Sequence, residues 1–404
     1  MPSILTTAVA VLAAAPVAFG HTWIEQLRNI NEQGEYVGEY GYPRGMVSKT
    51  DPGFNGFSMN IELPAYQGRV YINEDTPLCH PSQTKQVQSQ DKYPRLQAVP
   101  GGFIAMRYQE NGHVTKPDNQ KGKPEKGGTI FVYGTTEPRE NEKLVNVLQW
   151  TEDGQGGNKR GVLLTTNDFD DGRCYETNET PVSQERRKSD PNFAMGQVVD
   201  GVPGNYPLMC ETNVQLPKTA ALDETYTLYW VWQWNTAPGG VDPGLPEGKD
   251  EYYTTCMDVD VASADVAMAA DAKQKYALGP QQDAMSVAVA DWASRTAIMT
   301  DALQGEVGPY FSQKPTGAPS ATGGAPSRKP TAPAVTRIPT LTKRPGAAPT
   351  PPPSDDNVVT VTDTVVITVT APAATESPPA AATTRAVYSV RNKNGAKFRG
   401  RFAS

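Results

Sequence analysis

The chain has only three histidines and four cysteines among its 404 residues. No Cys-x-x-Cys pair or Cys/His cluster occurs, which excludes the ordinary zinc arrangements. No Gly-x-Ser-x-Gly elbow is present, so a serine hydrolase of that type is excluded. Positive charge is in deficit: 37 Lys and Arg stand against 44 Asp and Glu, a net of -7. An overall nucleic-acid binder would carry the opposite sign. Beyond residue 20 no apolar run is long enough to cross a membrane, and the C-terminal end lacks the apolar tail that a GPI signal requires.

The one long apolar run, residues 2–19, reads as the core of a secretory signal peptide, although no Lys or Arg precedes it. Ala18 and Gly20 are the small residues expected three and one positions before a cleavage site. Processing after residue 20 would make His21 the first residue of the mature protein, destined for the extracellular space. In that oxidising compartment Cys79, Cys174, Cys210 and Cys256 read as two disulfides, with three connectivities open. Asn178-Glu179-Thr180 is a glycosylation sequon, which agrees with secretion.

Composition divides the rest. Residues 21–262 are dense in short β-branched and aromatic segments: Phe103–Tyr108, Thr129–Tyr133, Leu144–Trp150, Tyr226–Trp234 and Tyr252–Val261. Turn signals such as Asp153-Gly154 and Asp171-Gly172 separate them, and no long 3.6-residue period intervenes. The pattern predicts an all-β fold, an antiparallel immunoglobulin-like or fibronectin-like β-sandwich with long loops. Residues 263–310 turn to Ala, Met and Gln, and Gln281–Leu303 is expected to be helical, either packed on the sandwich or forming a stalk. Residues 311–404 are a low-complexity Pro/Ser/Thr-rich tail, read as disordered and O-glycosylated. From residue 312 the tail holds twelve Lys and Arg against four acids, a net of +8, which leaves -15 for everything before it. Within the tail, Val358–Thr370 alternates like a strand, and Arg391–Ser404 is basic. Either could contact another chain or a cell wall.

The chemistry gathers at the scarce residue. A histidine at a chain start offers its α-amine and a ring nitrogen to one metal ion, because both are neutral near physiological pH. A second imidazole, His113, completes a three-nitrogen set that suits copper. Glu251-x-Tyr253-x-x-Cys256 lies on an expected strand, with Glu251 and Tyr253 on one face and Tyr252 and Cys256 on the other. His21, His113 and this motif occur in the order found in fungal secreted lytic polysaccharide monooxygenases, which the chain resembles over residues 21–261. The opening His21-Thr22-Trp23, the segment Gly41-Tyr42-Pro43-Arg44-Gly45 and Tyr226–Trp234 point to an uncharacterised fungal group within that superfamily.

The resemblance implies one copper ion held by His21 and His113, Tyr253 at its axial side, and Glu251 beside it where a glutamine often stands. It implies a reductant-driven enzyme, with an external electron donor, that uses O2 or H2O2 to cleave a polysaccharide such as chitin, cellulose or hemicellulose. The protein would act as a monomer with neither a nucleic-acid partner nor a membrane span. The resemblance also favours the pairs Cys79–Cys256 and Cys174–Cys210. Trp23 and Tyr42 are either sugar-stacking or core residues, Arg107, Gln109 and Glu110 either support His113 or belong to its strand, and His80 reads as a bystander. The stretches 116–127 and 167–190 are not typical of the superfamily. Two other readings stand beside this one: a non-catalytic copper-binding cell-surface protein, and a cell-wall structural or interaction protein.

Overall fold

A computed structural model describes residues 22–116, 121–193, 198–199, 202–203, 206–239, 243–269 and 285–311. All of them belong to the first of two compact units, residues 1–321. The signal segment, His21, Val358–Thr370 and the basic end lie outside the described residues.

Eleven strands are described: β1 Gln26–Ile30, β2 Tyr36–Gly41, β3 Leu96–Ala98, β4 Phe103–Tyr108, β5 Thr129–Thr135, β6 Val162–Asp168, β7 Val198–Val199, β8 Val202–Pro203, β9 Cys210–Gln215, β10 Thr225–Gln233 and β11 Tyr252–Val261. They build an all-β sandwich. One sheet has the order β2-β1-β4-β9, the other β3-β11-β10-β5-β6, and β7 and β8 form a separate ribbon. Pairing is antiparallel except between β3 and β11. The chain between β2 and β3, residues 42–95, is the long connection that delivers β3 in the parallel sense.

The alternation along β10 explains why Tyr226–Trp234 is apolar throughout. Leu228, Trp230 and Trp232 enter the core between the sheets, where Leu27, Ile104, Met106 and Met257 meet them. Tyr229 and Val231 point the other way, into a second core with Phe131, Tyr133, Tyr252 and Cys256. Both faces of this sheet are covered, so its central strands read as continuous apolar runs rather than alternating ones.

The cover is partly the segment expected to be helical. Among the described residues, Gln281–Leu303 contains no α-helix, and a 3-10 turn at Ala302–Gly305 overlaps only its end. Its backbone bonds to the sandwich instead: Tyr36 donates to Ser286, Ala288 to Gly34, and Ala297 to Thr166. Met285, Ala288 and Trp292 pack on the outer face of the first sheet, against Ile30, Tyr36 and Ala105. Met299, Ala302, Leu303, Tyr310 and Phe311 pack on the outer face of the second. Residues 285–311 therefore run as a belt across both outer faces. A helix would have used its own carbonyls and left those of the sandwich unpaired.

Leu144–Trp150, read as strand-like, begins with the one-turn helix α1, Leu144–Val147. Leu144, Val145, Val147 and Leu148 are all buried, which is a helical spacing and not an alternating one. A second helix, α2 Pro181–Ser189, starts at Thr180, whose hydroxyl accepts from the Ser183 amide. A further single turn, α3 Ala264–Ala267, follows β11. No helix of the described residues is long and apolar enough to cross a membrane.

Disulfides join Cys79 to Cys256 and Cys174 to Cys210. The first ties the long 42–95 connection to β11, and the second ties the loop after β6 to β9.

The belt is pinned by a carboxyl pair. Asp250 accepts from the amides of Ile72 (3.0 Å), Val307 (2.9 Å) and Gly308 (3.2 Å). Burial and the neighbouring Asp250 push Glu306 from the ordinary 4.5 up to about 8. Folded protein then holds a proton that the unfolded chain has released, so stability declines as pH climbs from 4.5 through about 8. Glu306→Gln should remove this decline. Its melting temperature should match the parent at pH 4 and exceed it at pH 9, and equal melting temperatures at pH 9 would contradict the pairing.

Candidate functional site

β4 ends in a turn that sets the position of His113. Asn111 and Gly112 both have left-handed backbone angles (φ 47° and 81°), which these two residue types adopt most readily. The His113 amide donates to Glu110 O at 2.9 Å and closes the turn. The imidazole is 3% exposed. It meets the Trp234 and Trp232 rings edge-on at 4.2 Å and 4.8 Å. Glu110 is held by Val114 N (2.8 Å), Glu176 N (2.9 Å) and the Thr115 hydroxyl. Burial pushes its carboxyl upward, and these bonds make it the brace of the loop.

Thr22 is the first residue described, and it docks on the same turn. Its hydroxyl donates to Gln109 O at 3.0 Å, and Asn111 Nδ2 donates to that hydroxyl at 3.3 Å. Glu25 N bonds to Arg107 O at 2.8 Å, extending the contact along β4. The Gln109 side chain accepts from Lys49 Nζ at 2.6 Å. Arg107 is fully buried, with its guanidinium 5.0 Å from the Tyr36 ring. The residue after His21 is thus fastened to the turn that carries His113.

Tyr253 and Glu251 do share one face of β11 and its N-terminal approach. The Tyr253 hydroxyl donates to Glu251 Oε1 at 2.8 Å, and the Tyr253 ring stacks on Trp232 at 4.8 Å. His113 and Tyr253 therefore pack against one indole. Burial holds the Tyr253 hydroxyl well above its usual range, so it remains a phenol.

Glu251 is held by two lysines. Its Oε2 accepts from Lys123 Nζ (2.5 Å) and Lys249 Nζ (2.7 Å), and Lys249 also reaches Glu62 at 3.0 Å. Burial alone would raise the Glu251 carboxyl, but the two ammonium groups bring it below its ordinary value. With three donors on the carboxylate it is a weak base and an anchor for Tyr253. Lys123 was not singled out by the sequence, because it arrives from the atypical 116–127 stretch. Its Nζ also donates to Trp234 O at 2.9 Å and lies 4.0 Å from the Trp234 ring centre. Gly127 and Gly128 both take left-handed angles (φ 72° and 85°) as this stretch turns into β5. A Cβ at Gly128 would sit 2.4 Å from Gln233 O, so only glycine fits.

Trp23 and Tyr42 are 3% and 4% exposed, in a small core with Tyr40, Met46, Met59 and Tyr93. They are packing residues in this fold and offer no open face for a sugar. Asn178 precedes α2, and its Nδ2 donates to Thr115 Oγ1 at 2.8 Å. The nitrogen a glycan would take is engaged in the loop brace. Among the described residues, the grouping of metal-ligand types within reach of one another is Asp171, Cys174 and Cys210, and its cysteines are locked in a disulfide.

His80 stands apart, beside the Cys79 bridge. Its Nδ1 accepts from Ser82 N at 3.2 Å, which assigns the proton to Nε2, donating to Phe57 O at 2.9 Å. Burial lowers the ring's proton affinity from the ordinary 6.5, partly offset by the Phe57 bond. The neutral ring thus contributes stability at neutral pH that is lost as pH falls below 6.5. Hydrogen exchange of the Ser82 amide should accelerate in that window beyond the intrinsic trend, and a protection factor flat from pH 7 to 5 would contradict it.

The arrangement is a β-sandwich with a buried histidine on a tight turn, next to a tyrosine–glutamate–dilysine cluster. Residues 18–290 match the family described as "Domain of unknown function (DUF7492)", and the chain belongs to that family. No curated protein matches it. Among solved structures it is similar to a cellulose-active polysaccharide monooxygenase from M. thermophila, at 12% identity and a TM-score of 0.23, covering 60% of this chain and 78% of that one. It is also similar to a protein titled CvAA9A, at 14% identity and a TM-score of 0.26, covering 70% of this chain and 99% of that one.

Proposed function

We propose that this is a secreted copper protein that oxidatively cleaves a polysaccharide. The carrying observation is the docking of Thr22 onto the Gln109–Asn111 turn, which fastens the chain next to His21 beside the buried His113 imidazole. The donor chemistry fits copper: an N-terminal amine and two imidazoles are nitrogen ligands of the kind a tetragonal site takes. His21 and His113 would hold the ion. When bound, copper supplies one-electron reduction by an external donor and activation of O2 or H2O2.

The remaining work belongs to the chain. Trp232, Trp234 and Phe169 surround the His113 ring and keep water from it. Glu251 holds the Tyr253 phenol by a single hydrogen bond, while Lys123 and Lys249 keep the carboxylate charged and fixed. Those same lysines support a second reading, copper binding without oxidative chemistry, because Glu251 is left with little capacity to take a proton or orient an oxygen species.

The test uses protein beginning at His21, titrated with Cu(II) and compared with a version carrying one extra residue before His21. Tight one-to-one binding that the extra residue weakens is expected. Incubation of the loaded protein with ascorbate, peroxide and chitin, cellulose or xylan should then release oxidised oligosaccharides. Copper binding without products across that panel leaves the second reading. Indifference to the extra residue, or no binding, ends both.

A further inference from the structure

The end of the belt, residues 302–308, is tied down by side chains from the end of β10 and the approach to β11. Gln233 Nε2 donates to Ala302 O at 2.7 Å and to the Tyr252 hydroxyl at 2.9 Å. Asn235 Nδ2 donates to Gly305 O at 2.6 Å. Asp250 Oδ1 accepts from the Val307 and Gly308 amides. A Cβ at Gly305 would collide with Gln233 Oε1, so only glycine lets the belt lie this close.

These ties reach the Tyr253 cluster. The oxygen of the same Asn235 side chain accepts from the Glu251 amide at 2.7 Å. One side-chain amide thus holds the belt with its nitrogen and the Glu251 backbone with its oxygen. A hollow of about 370 Å³ lies here, lined by Gln304, Gly305, Glu306 and Val307 of the belt and by Lys123 and Pro124.

Glu306 is the point at which the ties can fail. Its Oε1 is buried and accepts from no donor among the described residues. It converges with Asp250 Oδ2 on Gly308, where a Cβ would lie 2.8 Å from the first and 2.6 Å from the second. Two carboxyl groups brought together in this way favour keeping a proton between them. The other groups facing Glu306 are Tyr252, Tyr71 beside Gly308, and Lys123 in the lining of the hollow. Burial keeps Tyr252 a phenol. Loss of the Glu306 proton therefore sets a half-buried carboxylate against Asp250, the residue that holds Val307 and Gly308.

We propose that residues 302–308 form a strap kept closed by the proton between Glu306 and Asp250. When that proton leaves, the strap lifts, the hollow opens and Asn235 loosens its hold on the Glu251 amide. The pH then acts on the Tyr253–Glu251 pair through the backbone, without titrating either member. The strap needs no metal, so it stands apart from the copper reading.

The test is hydrogen exchange of the full chain, resolved to single amides, in the parent and in Glu306→Gln. In the parent, the protection factors of Val307, Gly308 and Glu251 should fall together, by up to about tenfold per pH unit from 4.5 to about 8, and level off above. Ala288 and Ala297, bonded to Gly34 and Thr166 farther back along the belt, should keep theirs. Glu306→Gln offers Asp250 an amide N–H that does not titrate, so all three protection factors should stay high and flat. Flat protection in the parent, a decline shared by Ala288 and Ala297, or a parent-like decline in Glu306→Gln would overturn the proposal. So would a Glu251 amide that stays protected while Val307 and Gly308 lose their protection.

Discussion

His113→Ala is expected to weaken copper binding by at least about a hundredfold, because loss of even an outer partner of a ligand costs about 10- to 100-fold. His80→Ala is expected to leave it within about twofold. The contrast follows from where the rings sit. His113 lies on the turn to which Thr22 is bonded, whereas both His80 nitrogens are committed to the Ser82 amide and the Phe57 carbonyl. Alanine at 113 also removes packing against Trp234 and Trp232, so His113→Phe is the companion variant, keeping an aromatic edge while removing both nitrogens. Copper titration followed by electron paramagnetic resonance, with circular dichroism as the fold control, distinguishes the cases. Parent-like affinity in a folded His113→Phe protein would remove His113 from the site.

The second large effect concerns Asp258. Arg44 donates to it twice, Nε to Oδ2 at 2.8 Å and Nη2 to Oδ1 at 2.7 Å, and neither side chain has any exposed surface. Burial raises the Asp258 carboxyl, but Arg44 and Thr227 outweigh it and hold it below the ordinary value. Asp258→Ala leaves a guanidinium buried without its counter-charge, at a cost of about 3–5 kcal/mol. Replacing both partners, as Arg44→Met with Asp258→Leu, should recover much of that loss, since desolvation of the pair then disappears too. Denaturant melts of the parent, the single variant and the double variant measure both numbers. A single-variant loss under about 1 kcal/mol, the scale of an exposed pair, would contradict the burial.

Local pattern carried much of the sandwich. Phe103–Tyr108, Tyr226–Trp234 and Tyr252–Val261 lie on strands because their residue types and alternation suit a covered sheet. The shared face of Glu251 and Tyr253 follows from the two-residue period of a strand. What escaped was set at long range. Lys123 meets Glu251 across 128 residues of sequence, and nothing near either residue announces the other. The belt looked helical because Ala, Met and Gln carry good helix propensity, but strand-edge carbonyls and apolar sheet faces competed for it and won. Helix α2, by contrast, had a local signal in Thr180-Pro181, a capping hydroxyl followed by proline at the first helical position, with Arg186, Arg187 and Lys188 at its end.

The belt also bears on how the protein can be cut. Ending the polypeptide after β11, at residue 262, strips Met299, Ala302, Leu303, Tyr310 and Phe311 from the second sheet, and Met285, Ala288 and Trp292 from the first. Two apolar faces would then meet water or each other, and such a fragment should be recovered as aggregate. The shortest piece that stays dispersed therefore ends at Phe311, some fifty residues past the last strand, and trimming the tail is safe only beyond that point.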